Sequence, residues 1–168
     1  DFLCSAVGSL TNPKKISDTL KSKKGKAISD MTVKNYLLHL CDAFLFDGAK
    51  RFDVKGKKYF DTPLKYYAAD VGLRNARLNF RQTEENHLME NVLFNELKIR
   101  GYAVDVGVVE TRESADGKRI YKQLEIDFVV NKGNKKYYIQ SAYEMPSSEK
   151  LAQEKRPLLK TGDSFRKI

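Results

Sequence analysis

Cysteine and histidine are scarce in this chain of 168 residues, and their scarcity removes several classes of protein at once. Cys4 and Cys41 stand far apart, with no CxxC motif. A disulfide scaffold or a zinc site needs more than this, so a reducing compartment, the cytoplasm, is expected. His39 and His87 do not change that conclusion. Long apolar runs are also lacking: none approaches the ~18 residues that cross a bilayer. No signal-peptide pattern opens the chain, and no membrane partner is expected. Internal repeats, heptad runs and low-complexity segments are missing as well. The chain starts on Asp1 and ends in "SFRKI", which reads as the opening of a strand, so further segments are expected on either side.

What is present suffices for a packed core. At 41% hydrophobic and 11% aromatic, the composition argues against global disorder, and the length suits one domain or two small ones. The net charge of +9 is spread unevenly. Residues 1–81 hold 16 Lys/Arg against 8 Asp/Glu, an excess of +8, whereas residues 82–168 hold 15 against 14, an excess of +1. A concentrated positive field attracts phosphate backbones or acidic partners, although a solvated lysine-rich surface has the same composition.

The first half reads as helices followed by a hairpin. "NPKKISDTLKSK" places Pro13 in a first helical turn, spaces Ile16 and Leu20 by four, and is closed by Gly25. "SDMTVKNYLLHLCDAFLF" begins with Ser29 or Asp30 as N-cap and carries a stripe of Val33, Tyr36, Leu37, Leu40 and Phe44. "KRFDVKGKKYFD" then forms two strands around a Lys55-Gly56-Lys57 turn, and "PLKYYAAD" reads as a third strand. Asp70-Val71-Gly72 reads as a turn, and 73–81 as a polar, basic connector.

This order is the pattern of a winged helix-turn-helix over residues 1–75. Its second helix, Thr32 to Phe44, would enter a major groove while the hairpin lies along a phosphate backbone. The candidate DNA-binding side chains are Lys34, Asn35, Lys50, Arg51, Lys55, Lys57 and Lys58. Winged helices also dock proteins, so an interaction or oligomerisation module is the alternative.

The second half opens with the helix "ENHLMENVLFNELKIRG", capped by Gly101. Strands follow at "YAVDVGVVE", "IYKQLEIDFVV" and "KYYIQSAYEM", with turns at Asp116-Gly117 and "NKGNK", then the helix "SSEKLAQEKRPLL" and a possible strand at "FRKI". The expected class is α/β or α+β, a mixed sheet flanked by helices. Acids and amides stand inside two of these strands. With alternating faces, Leu124, Ile126, Phe128 and Val130 share one side, and Asp127 takes the other, where Gln140 of the next strand can join it. Glu90 falls at the margin of its helix's apolar stripe, between Phe94 and Leu97 in projection, where it needs a cation or the sheet's polar groups.

Glu90-Asn91, then Glu125-Ile126-Asp127-Phe128-Val129-Val130, then Tyr138-Ile139-Gln140 resemble the PD-(D/E)XK nuclease-like module. With "DVGLRN" and "MENVLFNELKIRGY" added, nearly the whole chain resembles the C-terminal region of a prokaryotic AAA ATPase family, in which an ATPase core precedes a winged helix and this module. The resemblance implies a nuclease-like domain over 76–168, truncated at its C-terminus. It also implies an ATPase in the full-length protein, with ATP bound upstream, since no G-x-x-x-x-G-K-[ST] occurs here. In active nucleases of this fold the helix acid and strand Asp hold a divalent ion, and a (D/E/Q)xK strand adds a ligand and a lysine. Glu90, Asp127 and Gln140 match the magnesium ligands, but the lysine slot falls on Ala142. Alanine has no charge to set against water or phosphate. The expectation is therefore a DNA-binding accessory region whose catalytic residues are vestigial, with a Mg²⁺-dependent endonuclease as a further alternative.

Overall fold

The computed structural model describes residues 1–25, 27–81, 84–115 and 118–168. Within them lie six helices and seven strands of a mixed α+β protein. Residue contacts divide the chain into a first unit, Asp1–Ala49 with Asp61–Val92, and a second, Lys50–Phe60 with Leu93–Ile168. No helix among the described residues is long and apolar enough to cross a membrane.

The first unit begins with α1 (Phe2–Ser5) and β1 (Leu10–Thr11). Helix α2 (Pro13–Lys24) starts where Asn12 accepts a hydrogen bond from the Lys14 amide, has Pro13 at its first position, and stops at Gly25 with φ 62°. Helix α3 (Asp30–Asp42) is capped by Ser29, which accepts from the Thr32 amide. Strands β2 (Phe46–Asp53) and β3 (Lys58–Ala68) form the hairpin around the turn 54–57. Strand β1 pairs antiparallel with β3, Leu10 opposite Lys65. Leu3, Val7, Ile16, Val33, Leu37, Phe46 and Tyr66 make this unit's core.

Three expectations change here. "PLKYYAAD" is no separate strand: β3 runs unbroken through Pro63. Asp70 is a helix cap rather than a turn residue, accepting from the Leu73 amide, so the supposed connector begins with α4 (Val71–Arg77). Helix α3 ends at Asp42, and Phe44 follows in the left-handed region with φ 55°. Phe44 therefore leaves the helical stripe and is 85% exposed, and Tyr36 on its flank is 58% exposed.

Helix α5 (Glu85–Ile99) runs from the first unit into the second, where Gly101, at φ 77°, follows its end. The second unit continues with β4 (Ala103–Ala115), β5 (Lys118–Lys132), β6 (Lys135–Ile139), α6 (Ser148–Leu159) and β7 (Arg166–Lys167). The end of β2 pairs parallel with β4, β4 and β5 are antiparallel, as are β5 and β6, and β7 adds parallel to β6. The expected "FRKI" strand is thus present in part, while the Asp116-Gly117 turn lies outside the described residues.

A bulge decides which residues of β5 face where. Asp105 pairs with Val129 and Gly107 with Ile126, so Asp127 and Phe128 together oppose Val106. The extra residue interrupts the alternation. Ile126 and Val129 consequently join Val54, Val109, Tyr138 and Leu158 in one cluster, while Phe128 meets Phe94 of α5 at 6.3 Å. The even-numbered face expected for residues 124–130 is therefore split at Asp127. Gly107 is the counterpart of this bulge. A Cβ there would stand 2.8 Å from Val129 Cγ2 and 2.9 Å from Ile126 Cβ, neither of which can withdraw. Gly107→Ala should destabilise the protein by about 1–3 kcal/mol, read as a lower urea midpoint at unchanged slope. An unchanged midpoint would contradict this packing.

Candidate nucleic-acid interface and carboxylate cluster

On α3, Lys34 and Asn35 are exposed, as the helical spacing anticipated. Their helix is anchored by its buried face, Val33 and Leu37. The same unit contains an apolar cavity of about 500 Å³, lined by residues that include Leu20, Tyr36, Leu37, Phe44, Leu45 and Leu73.

The hairpin tip belongs to the second unit, and a buried acid builds it. Asp53 is 3% exposed, and its Oδ1 accepts from the amides of Lys55 at 3.1 Å and Gly56 at 2.9 Å. Its carbonyl accepts from the Lys57 amide at 2.8 Å. A side chain at position 56 would collide with the Asp53 carboxylate, so only glycine suits that place. The turn is thereby held in one shape, and the cations around it divide into two kinds. Lys55 Nζ donates to the Glu110 carbonyl at 3.1 Å, and Arg51 donates to Gln123 Oε1 at 3.0 Å while lying 5.1 Å from the Phe60 ring. Lys50, Lys57 and Lys58 are exposed, with Lys58 Nζ 4.0 Å from Asp53 Oδ2. Sequence spacing marked all five as equivalent. Asp53, which arranges them, went unmarked, although an Asp three residues before a glycine is a turn signal.

Hydrogen bonds described within each unit hold the carboxylates. In the second unit Asp127 Oδ2 accepts from the Ser141 amide at 2.8 Å and the Ser141 hydroxyl at 2.9 Å. The Asp127 amide points to Gln140 Oε1 at 3.4 Å, and Gln140 Nε2 donates to Glu154 Oε2 at 3.0 Å. Glu154 Oε1 then meets Lys150 Nζ at 2.6 Å, one turn back on α6. Asp127 and Gln140 are thus brought together as expected. Gln140 lies just past the end of β6, its amide bonded to the Ile168 carbonyl. Ser141 and Glu154 were not anticipated, and Lys150 joins Glu154 from α6.

Glu90 has its partners in the first unit. Its Oε1 accepts from Lys65 Nζ at 2.9 Å and from the Tyr67 hydroxyl at 2.6 Å, with all three residues buried. Both expected outcomes for Glu90 are realised, a cation in Lys65 and a polar group of the sheet in Tyr67, each on β3. The neighbouring Asn91 is fully buried and clasps the Ala68 amide and carbonyl, each at 2.8 Å. Among the described residues no group of three or more His, Cys, Asp or Glu side chains could hold a metal. Glu90 Oε1 and Asp127 Oδ2 each accept from protein donors within their own units.

Residues 1–84 match the model of DUF8612, a domain of unknown function. The chain belongs to the DUF8612 family. The matched span takes in α1–α4 with Lys34, Asn35, the basic hairpin and Lys65, and it ends before Glu90. Over 167 residues the chain is 38% identical to an uncharacterized protein of Haemophilus influenzae strain Rd. That alignment covers 99% of this chain but 38% of the relative's length. No solved structure is matched.

Proposed function

We propose that this chain is a DNA-binding, non-cleaving C-terminal region of an AAA-type ATPase, made of a winged helix and a vestigial nuclease-like domain. The observation that carries the DNA part is the hairpin tip, where Lys57 and Lys58 are exposed on a turn fixed by Asp53. Phosphate recognition needs cations in a fixed place, and a prearranged turn avoids ordering them on binding. Lys34 and Asn35, exposed on α3, are the candidates for contact with base edges. The ATPase assignment rests on the sequence resemblance and agrees with a relative far longer than this chain. ATP would bind upstream.

The absence of cleavage is expected from Ala142, which brings no charge to the lysine slot, and from Asp127 Oδ2, which accepts twice from Ser141. Losing one electrostatic contact to a transition state typically costs about 10²- to 10³-fold in rate. Supercoiled plasmid incubated with the protein and Mg²⁺ or Mn²⁺ should therefore be retarded on a gel without being nicked. Nicking that disappears in Asp127→Asn would overturn the vestigial reading and favour a relocated lysine. Ala142→Lys is expected to stay inactive, because Ser141 occupies Asp127; a gain of nicking would show an intact remaining site.

A second reading, a protein-docking module, is favoured by the apolar cavity and the exposed Phe44 of the first unit. It would be preferred if the protein bound no duplex at low salt.

A further inference from the structure

The second unit carries a connected series of rings and cations that the hairpin tip does not use. Lys50 Nζ lies 6.0 Å from the Tyr59 ring, and Tyr59 packs on Phe52 with centroids 5.1 Å apart. Lys136 Nζ stands 5.2 Å from the rings of both Phe52 and Phe165. Phe165 meets Tyr138 edge-on at 6.2 Å. Phe52 and Tyr138 belong to or flank the unit's core, but Tyr59 is 55% and Phe165 44% exposed. The acid amid this series is Asp105, whose Oδ2 accepts from the Tyr59 hydroxyl at 3.0 Å. Burial pushes its carboxyl above the usual range, and the fields of Lys50, Lys136 and Lys98 oppose that shift. Three lysines around one half-buried acid leave the surface positive.

Exposed aromatic rings on a soluble surface invite a partner. A partner that rewards rings alternating with cations must offer flat π-faces joined by a negatively charged backbone. In a duplex the bases are stacked on one another and cannot reach these rings. Unpaired bases can, and stacking on aromatic side chains with a basic track beside them is the general mode of single-strand binding.

We infer that this face binds single-stranded nucleic acid, with unpaired bases stacking on Tyr59 and Phe165 and phosphates meeting Lys50 and Lys136. The inference deepens the nucleic-acid reading above and is tested apart from it. The whole protein is titrated against fluorescein-labelled twenty-nucleotide oligo-dT and against a labelled duplex of the same length, by anisotropy. Tyr59→Leu and Phe165→Leu should each weaken oligo-dT binding roughly tenfold and leave the duplex within about twofold. Tyr59→Phe, which keeps the ring and loses only the bond to Asp105, should bind oligo-dT like the parent. Thermal melts of all three variants should keep one cooperative transition close to the parent's, since both rings are about half exposed. No oligo-dT binding by the parent, or equal binding by both leucine variants, would overturn the inference. Equal losses for oligo-dT and duplex would also overturn it, because base stacking would then not be the contact. Retained oligo-dT binding without duplex binding would support it while removing the duplex reading alone.

Discussion

Lys65→Met should lower the stability of the protein by about 3–5 kcal/mol, the cost of breaking a buried ion pair from one side. Lys65 is 4% exposed in β3, and its ammonium lies 2.9 Å from Glu90 Oε1. Methionine fills similar space but leaves the carboxylate buried with its charge no longer balanced by that ammonium. The Tyr67 hydroxyl at 2.6 Å still donates, yet a neutral donor does not replace a cation. Such a loss is a large part of the ~5–15 kcal/mol by which folded domains are ordinarily stable. Urea denaturation followed by circular dichroism should show a much lower midpoint. The double variant Lys65→Met/Glu90→Leu should recover most of it, since replacing a buried pair by apolar groups is often close to neutral. A single variant within about 1 kcal/mol of the parent would mean that the pair does not hold α5 to β3.

The second large effect concerns DNA. Replacing Lys55, Lys57 and Lys58 together with glutamate should reduce duplex affinity on the order of 10²-fold at low salt, through lost phosphate contacts and added repulsion. The three positions should not contribute equally. All three are exposed, but Lys55 Nζ already donates to the Glu110 carbonyl. Lys57→Glu/Lys58→Glu should therefore reproduce most of the loss, and Lys55→Glu the smaller share. Anisotropy titration of a labelled duplex measures each. A triple variant that binds like the parent would show that the hairpin is not the contact surface.

Features set by short-range chemistry were legible in the sequence. Asn12-Pro13 and Gly25 delimit α2, Ser29 starts α3, and Gly101 follows α5, because caps depend on neighbours a few residues away. The basic turn at Lys55-Gly56-Lys57 was legible for the same reason. Asp70 shows the limit of such signals, since an Asp before Val-Gly opens a turn or a helix equally well, and α4 forms. "PLKYYAAD" was read as a third strand of its own, but β3 carries through Pro63.

The candidate site was legible as a set of residues and not as a set of partners. Glu90 needed a cation or the sheet's polar groups, but nothing local names Lys65 or Tyr67, which stand 25 and 23 positions earlier on a strand whose continuity was missed. Asp127 and Gln140 do meet, yet the bulge that aims Asp127 depends on Gly107 of the neighbouring strand. Ser141 and Glu154 enter through the turn after β6 and through α6, positions fixed by packing rather than by any spacing.

Binding of a labelled twenty-base-pair duplex between ~50 and ~200 mM salt tests the central claim most directly. About four phosphate contacts should weaken binding on the order of 10²-fold across that range, giving a logarithmic slope near −0.9 per contact. An affinity that does not change with salt, or no binding at ~50 mM, would contradict a phosphate-reading hairpin and with it the duplex-binding account.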